Sequence, residues 1–357
     1  MHRQFMIAAL EQAWNGRGFC APNPAVGAVV VHNDKIIASG WHHGVGTAHA
    51  EQAALQQLSE YPNDITLYVT LEPCNHWGRT PPCVSGIIAA GVKRVVYGYP
   101  DPNPVVAANN TPQILKENGI EVIHYPLAEI DQFYQSYSWW TRTRKPWVTA
   151  KIAQSLDGKI AARNGQPVKL SNDACAQFTH QQRLHSDIIL TSSKTVINDN
   201  PRLNARLKDK IYAKPIAVID SDLAVKATAE IFTTAQFCRI FHAESVQPEQ
   251  KIANCDYHAV KMEKGRLDLH QIITHLGSLG YHDVWVEAGG ELFSALHKQG
   301  LINKTYLYIV PRILGNAAIS AYHDDIFQNR EYDILWQPFA DNMIVDIVWQ
   351  ERECVHS

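Results

Sequence analysis

Charge is scarce in this chain and balanced in sign. Asp, Glu, Lys and Arg make up 19% of its 357 residues, and the 32 basic side chains fall just short of the 35 acidic ones. A formal net charge of −3 with no basic run leaves no electrostatic footprint for a nucleic-acid backbone. No apolar stretch is long enough to span a bilayer. The opening Met1-His-Arg-Gln-Phe-Met-Ile-Ala-Ala-Leu10 reads as an amphipathic helix start rather than a signal peptide. The seven cysteines, an odd number, do not form a disulfide framework in a chain of this size. Cys20, Cys175, Cys238, Cys255 and Cys354 lie at no ligand spacing and read as free thiols of a reducing cytoplasm. Internal repeats and low-complexity segments are missing too. What remains is a globular composition, 46% hydrophobic, and enough length for two cores.

The local patterns describe an α/β chain. A helix over 3–15 precedes a hairpin built from strands 26–31 and 35–39. A helix from Ala48 to Leu58, a strand over 65–70 and a helix from Cys83 to about Gly91 follow. Strand 94–99, helix 112–118, strand 120–125 and helix 127–141 complete a first unit. Trp139 and Trp140 at the end of that last helix read as packing residues rather than a ligand platform. Lys145-Pro146 marks a boundary. Beyond it, strands are expected over 147–153, 187–192, 214–220, 237–243, 283–288, 304–311 and 343–349, with helices over 172–185, 268–279 and 290–299.

The chemistry of the first unit is concentrated between His49 and Cys83. His49, Cys74 and Cys83 offer one imidazole and two thiols, the donors of a zinc ion whose fourth position is open to water. Glu51, two residues past the histidine, is the carboxylate a zinc deaminase uses to move protons. In mid-helix, residues two apart face nearly opposite ways, so His49 and Glu51 share a pocket only if the helix begins there and meets it end-on. Cys74 follows a β-branched run, Ile65-Thr-Leu-Tyr-Val-Thr70, at the carboxyl edge where open α/β sheets place ligands. Two plainer readings compete: a closed structural zinc site, which takes four protein ligands, and coincidence.

In the second unit three islands stand out. Lys151-Ile-Ala-Gln-Ser-Leu-Asp-Gly-Lys159 is a strand entering an Asp-Gly turn. Arg183 and the run Thr195 to Arg206 form the second. Val286-Glu-Ala-Gly-Gly-Glu-Leu292 is a strand entering a helix through paired glycines, where bare backbone N–H groups suit a cofactor phosphate. Taken singly these remain compatible with turns and solvated charges.

Jointly, the segments resemble the bifunctional deaminase/reductase family of riboflavin biosynthesis. Pro22-Asn-Pro24 with Val26-Gly27, His49-Ala-Glu51, Thr70-Leu-Glu-Pro-Cys-Asn-His-Trp-Gly-Arg-Thr-Pro-Pro-Cys83 and Asp101-Pro-Asn-Pro104 match its deaminase half. The three islands above and Tyr308-Ile-Val-Pro-Arg-Ile-Leu-Gly315 match its reductase half. The resemblance implies a cytidine-deaminase-like α/β/α domain over 1–145 and a dihydrofolate-reductase-like α/β domain over 146–357. It implies Zn2+ and NADPH as cofactors and a small phosphorylated pyrimidine as substrate. It also implies a cytoplasmic homo-oligomer without nucleic-acid or membrane partners. By matched position, His49, Cys74 and Cys83 hold zinc and Glu51 is catalytic. Asn23, His42, His76 and Arg79 contact the first substrate, Arg79 at its phosphate. Lys151, Arg183, Leu203, Arg206 and Glu287 line the reductase substrate site, with Lys151 holding the sugar or assisting proton delivery. Ala153, Lys169, Thr195, Asp199, Gly289, Gly290, Glu291 and Leu292 hold NADPH. The chain departs from the family at Pro167-Val-Lys169, where a Ser-x-Trp pattern is usual, and at Thr191-Ser-Ser-Lys194, where glycines are usual. Asn109-Asn110 also stand where glycine is common. Two alternatives stay open: a nucleic-acid base deaminase, and a deaminase whose C-terminal domain is a non-catalytic assembly module.

Overall fold

The valine runs of the first unit alternate between two faces, and each face acquires its own helices. The computed structural model describes residues 2–351 apart from 76, 78–80, 109, 164, 165, 167, 249, 250, 323, 324, 328 and 329. The chain divides into two units, Met1–Arg144 and Lys145–Ser357. In the first, α1 (His2–Gly16), β1 (Gly27–His32), β2 (Lys35–Trp41), α2 (Ala50–Leu55), β3 (Thr66–Leu71) and α3 (Cys83–Ala89) come first. Then follow β4 (Arg94–Tyr99), α4 (Pro104–Ala107), α5 (Thr111–Glu117), β5 (Glu121–His124) and α6 (Ala128–Thr143). The sheet order is β2-β1-β3-β4-β5, with β3, β4 and β5 parallel and β1 antiparallel to both its neighbours. Val29, Val31, Tyr68 and Val96 bury against Phe5, Met6 and Leu10 of α1 and Ile130, Phe133 and Tyr134 of α6. Ala28, Val30, Leu67, Val69 and Val95 bury against Ala54 and Leu55 of α2, Val84 and Ile87 of α3, and Leu115 of α5.

The second unit runs β6 (Trp147–Ser155), β7 (Lys159–Ala161), α7 (Asp173–His185), β8 (Ile188–Ser192), α8 (Ser193–Asp199), β9 (Ala205–Leu207), β10 (Lys210–Tyr212) and β11 (Pro215–Ile219). It continues with α9 (Ile231–Thr234), β12 (Phe237–Ala243), β13 (Cys255–Val260), β14 (Met262–Glu263), β15 (Arg266–Leu267), α10 (Leu269–Ser278) and β16 (Asp283–Glu287). Last come α11 (Gly290–Lys298), β17 (Lys304–Val310), β18 (Ile319–Ser320), β19 (Tyr332–Phe339) and β20 (Asn342–Trp349). Nine strands make one sheet in the order β13-β12-β11-β8-β16-β6-β17-β20-β19. It is parallel from β13 to β17 and antiparallel beyond. Val148, Leu190, Val284 and Val286 face Ile272 and Leu276 of α10 and Phe293 of α11. Ile189, Val218, Trp285 and Tyr308 face Cys175 of α7 and Val196 of α8. The helix starts use side-chain caps: Asn172, Ser192 and Asp268 accept from Cys175 N, Thr195 N and Gln271 N.

Several elements differ from the sequence expectation. The helix expected over 48–58 contracts to α2, with His49 extended as its N-cap. The strands β13 and β19 and the helix α8 were not expected. β19 is the sheet's last strand and carries mostly exposed residues, so it lacks the buried alternation that signals a strand. Cys20, Cys74, Cys83, Cys175, Cys238 and Cys255 are free thiols, and Cys354 lies outside the described residues. Among the described residues no helix is long and apolar enough to cross a membrane.

Helix α1 seats directly on β1 because Gly27 has no side chain. A Cβ there would lie 2.1 Å from the Ala9 carbonyl oxygen and 2.3 Å from Ala13 N. Gly27→Ala is therefore expected to destabilise the first unit by about 1–3 kcal/mol or more through forced backbone movement. A thermal unfolding midpoint equal to wild type would show that α1 does not sit this close.

Candidate functional site

Three element ends converge in the first unit. The N-cap of α2 supplies His49, the segment leaving β3 supplies Cys74, and the first residue of α3 supplies Cys83. His49 Nδ1 lies 3.1 Å from Cys83 Sγ and 3.4 Å from Cys74 Sγ, and the three donor atoms all fall within 4.8 Å of one another. Donors at about 2.0–2.3 Å from a tetrahedral ion stand on the order of 3.6 Å apart, so this soft, two-sulfur set fits zinc. The thiols are coupled. The hydrogen bond between them lowers Cys74 and raises Cys83, so Cys74 is the first to become a thiolate.

Glu51 occupies the first turn of α2, 3% exposed and within hydrogen-bonding reach of Cys83. Burial raises its carboxyl above the usual range, with the Cys74 charge adding to the effect. The helix does meet the pocket end-on, and that is what brings His49 and Glu51 together two residues apart.

A cavity of about 410 Å³ opens over this cluster. Asn23 and His42 line it with His49, Glu51 and Cys74. His42 Nδ1 is 3.1 Å from the Ala48 carbonyl, which only accepts, so Nδ1 carries the proton. Nε2 then accepts from Asn23 Nδ2 at 3.0 Å, and burial lowers the ring's pKa, keeping it neutral. His76 and Arg79 lie outside the described residues. The cavity also takes in residues that sequence reasoning had not assigned: Glu72, Asp101, Asn103, Tyr137, Trp140 and Arg144. Asp101 Oδ1 accepts from Asn103 N and the Tyr137 hydroxyl, and burial pushes its carboxyl up to about 6. Trp140 packs against the core and stacks with Tyr137, as expected of a packing residue, and it also lines this cavity. The Asp101-Pro-Asn-Pro104 match was the available signal for Asp101 and Asn103.

In the second unit the register of three strands makes the site. Lys151 on β6 pairs with Glu287 on β16 and with Tyr306 on β17. Arg183 of α7 grips Glu287 through both guanidinium branches, Nε to Oε1 at 2.5 Å and Nη2 to Oε2 at 2.9 Å. Trp285 Nε1 donates to the same carboxylate at 2.8 Å. Burial alone would raise Glu287, but the Arg183 charge outweighs it and holds the group at about 2. Lys151 is lowered, first by burial and then by Arg183 against the opposing pull of Glu287. His180 is lowered to about 4, by burial and by Arg183 and Arg206.

Beside this cluster lies a cavity of about 1000 Å³ at the carboxyl ends of β6, β8 and β16, at the upper end of ligand-pocket sizes. Lys151, Ala153, Lys169, Thr195, Asp199, Glu287, Gly289, Gly290, Glu291 and Leu292 all line it. A Cβ on Gly289 would meet nothing within 4 Å, so the backbone there is open to a ligand, and Gly289 N donates to Thr195 Oγ1 at 3.3 Å. That bare backbone and the size of the cavity fit a dinucleotide. Arg183 reaches the cavity through Glu287. Leu203 is 2% exposed and packed in the core with Val196, and Arg206 binds Asn204 Oδ1 at 2.6 Å; neither lines the cavity. Asp157 serves the loop: its carboxylate accepts from Ser155 Oγ, Leu314 N and Gly315 N.

Comparison with known proteins covers both units. The family model for the cytidine and deoxycytidylate deaminase zinc-binding region matches residues 1–99, and that for the RibD C-terminal domain matches residues 146–337. The riboflavin biosynthesis protein RibD of Escherichia coli K12 is 36% identical over 330 residues, 88% of this chain and 89% of the relative. Its counterpart in Actinobacillus pleuropneumoniae is 34% identical over 319 residues, 87% and 84% of the two chains. The solved structure of Acinetobacter baumannii RibD superposes with a TM-score of 0.85 at 30% identity, covering 98% of this chain and 99% of that one. A Thermotoga maritima structure described as a diaminohydroxyphosphoribosylaminopyrimidine deaminase/5-amino-6-(5-phosphoribosylamino)uracil reductase gives 0.85 at 28% identity, covering 98% and 99%.

The buried Glu287–Arg183 pair generates a stability prediction. Glu287→Ala strands a buried guanidinium and is expected to cost about 3–5 kcal/mol at neutral pH. The folded-state pKa of Glu287 is depressed, so its stabilising contribution is complete above its ordinary 4.5 and fades as pH falls toward 2. Denaturant titrations should show a constant gap between wild type and variant from pH 7 to 5, closing below that. A gap that widened on acidification would contradict the ion pair.

Proposed function

The chain belongs to the RibD family of bifunctional riboflavin-biosynthesis enzymes, a zinc-dependent deaminase joined to an NADPH-dependent reductase, and from that premise we propose how its own residues divide the two reactions. Residues 1–145 carry the deamination and residues 146–357 the reduction. The first substrate is 2,5-diamino-6-ribosylamino-4(3H)-pyrimidinone 5′-phosphate, and the second reaction reduces its ribosyl group to ribityl. The substrate assignment is supported by the description of the Thermotoga maritima relative.

His49, Cys74 and Cys83 hold zinc, and the observation that carries this reading is the convergence of their three donor atoms with Glu51 buried beside them. Zinc bound there supplies an activated water next to the reacting carbon. Glu51 would take one proton from the attacking water and pass it to the ring nitrogen, then take the second from the hydroxyl on the attacked carbon and give it to the amino group as it leaves as ammonia, ending as the carboxylate. Asn23, fixed by neutral His42, orients the ring, and His76 and Arg79 complete the contacts, Arg79 at the phosphate.

In the reductase, NADPH supplies the hydride. Ala153, Lys169, Thr195, Asp199 and Gly289 through Leu292 hold it, supported by their shared place around one cavity. Lys151, Arg183, Arg206 and Glu287 form the substrate side, with Leu203, whose side chain is in the core, offering its backbone there. The burial-lowered amine of Lys151 supports proton delivery to the opened sugar. The enzyme works as a cytoplasmic homo-oligomer on a small molecule, without nucleic acid or membrane. The net charge of −3 supports the absence of a nucleic-acid partner. The outer strand β19, with exposed Ile334, Leu335 and Trp336, supports self-association.

The test supplies the phosphorylated diaminopyrimidinone with NADPH and follows ammonia release and NADPH oxidation separately. Glu51→Gln should keep zinc and stop ammonia release, yet oxidise NADPH when given the deaminated intermediate. Loss of zinc in that variant would make Glu51 a ligand or a structural group. Lys151→Ala should suppress NADPH oxidation while ammonia release stays within about tenfold of wild type, one order of rate being 1.36 kcal/mol of barrier. Silencing of both signals in a folded, zinc-replete Lys151→Ala protein would overturn the division into two sites. Cys74→Ser and Cys83→Ser should each lower the zinc content, and undiminished zinc in either would remove that cysteine from the ligand set.

A further inference from the structure

Two cations that the roles above leave unused meet on one carboxylate at the lip of the reductase cavity. Lys194, in the first turn of α8, brings Nζ within 3.4 Å of Glu291 Oε2. Arg266, on β15, donates from Nη2 to Glu291 Oε1 at 3.1 Å. All three side chains line the cavity. They are 73%, 59% and 52% exposed for Lys194, Arg266 and Glu291. Ion pairs as solvated as these contribute little to stability, so an incoming anion displaces the carboxylate at small cost. The triad carries one excess positive charge, and Lys194 stands in the segment where this chain departs from the glycines of its family.

We propose that Lys194 and Arg266 take the 2′-phosphate of NADPH and so set this chain's preference for NADPH over NADH, with Glu291 as the counter-ion that the phosphate replaces. The proposal rests on the reading of this cavity as the dinucleotide seat. The pyrophosphate, common to both cofactors, is suited by the bare backbone of Gly289, the N-cap of α11, while Gly290 seats against the Ala321 carbonyl. The two cations are more exposed than Glu291, so a monoester bound there keeps water on its far side. There the fork of Arg266 takes two of its oxygens and Lys194 adds a point charge. Glu291 standing alone would favour the opposite cofactor, because a carboxylate accepts from a free ribose 2′-hydroxyl and repels a phosphate. Flanking it with two cations reverses that sign.

Equilibrium titration of the full chain, read by cofactor fluorescence, separates the possibilities without turnover. Lys194→Ala and Arg266→Ala should each weaken NADPH by about tenfold, while NADH stays within about twofold, as expected for one charge-assisted contact. The same split should appear between adenosine 2′,5′-bisphosphate and AMP as competitors. Equal loss of NADPH and NADH would place the cations on the shared pyrophosphate and overturn the proposal, as would undiminished NADPH affinity. Gly289→Val projects a side chain into open cavity space at a backbone conformation any residue adopts, φ −68° and ψ 169°. It should weaken both cofactors. Unaltered binding of both in that variant would instead remove the dinucleotide from this cavity, a failure of the underlying reading that the two cation variants do not produce.

Discussion

Everything in the first unit answers to one geometric demand: an imidazole and two thiols from three separate chain segments must point at one spot. The demand is met at element ends, where a short change of direction aims a side chain along an axis rather than across it. His49 stays extended at φ −69° and ψ 161°, and the helix starts one residue later. Close seating makes the aim rigid. A Cβ on Gly40 would lie 2.6 Å from Ala54 N, so β2 holds the backbone of α2 directly. A Cβ on Gly86 would collide with the Gln52 side chain, so α3 presses on the same helix. A larger residue at Gly40 would move His49 relative to Cys83 and spread the donor set, whereas at Gly86 the flexible end of Gln52 can turn aside.

The second unit is governed by a carboxylate instead. Glu287 is largely buried, its side chain 12% exposed, and it stays ionised because Arg183 grips both its oxygens and Trp285 donates to one of them. Strand register then fixes Lys151 beside it, since residues paired on adjacent parallel strands share a face. One carboxylate thus organises a patch that also holds Arg183, Arg206, Lys151 and His180. The excess of cations suits an anionic sugar phosphate, and the patch would repel itself without Glu287.

What was legible in the sequence follows the same division. The proposed zinc donors and Glu51 could be picked out because strand and helix ends are marked by composition: a β-branched run before Cys74, good helix formers after His49. The α/β architecture was readable wherever a strand is buried on both faces. The outermost strands of the second sheet, β13 and β19, were not, because their residues are mostly exposed or half-buried, whereas the edge strand β2 of the first sheet was marked by the His32-Asn-Asp34 turn before it. The carriers of shape around the first cavity were invisible for another reason. Tyr137 and Trp140 come from α6, and only the folded sheet brings them to the cavity beside His49, whereas Asp101 was marked by the Asp101-Pro-Asn-Pro104 match. Leu203 shows the converse. Its place in the family motif suggested a substrate contact, whereas its side chain fills the core and its backbone holds a left-handed φ of 48°.

The two cavities handle charge in opposite ways by the same physical means. Glu51, Glu72 and Asp101 line the first, and burial raises all three carboxyls, which reduces the negative charge a phosphorylated substrate would meet there. At the second, burial lowers Lys151, which lines the cavity, and His180 in the cluster beside it, thinning a positive patch. In neither case does a neighbouring charge act alone; desolvation is the larger cause each time. Burial therefore does more than exclude water from these sites. It raises the Glu51 carboxyl and lowers the Lys151 amine, and it is overcome where the opposite charges of Arg183 and Glu287 meet.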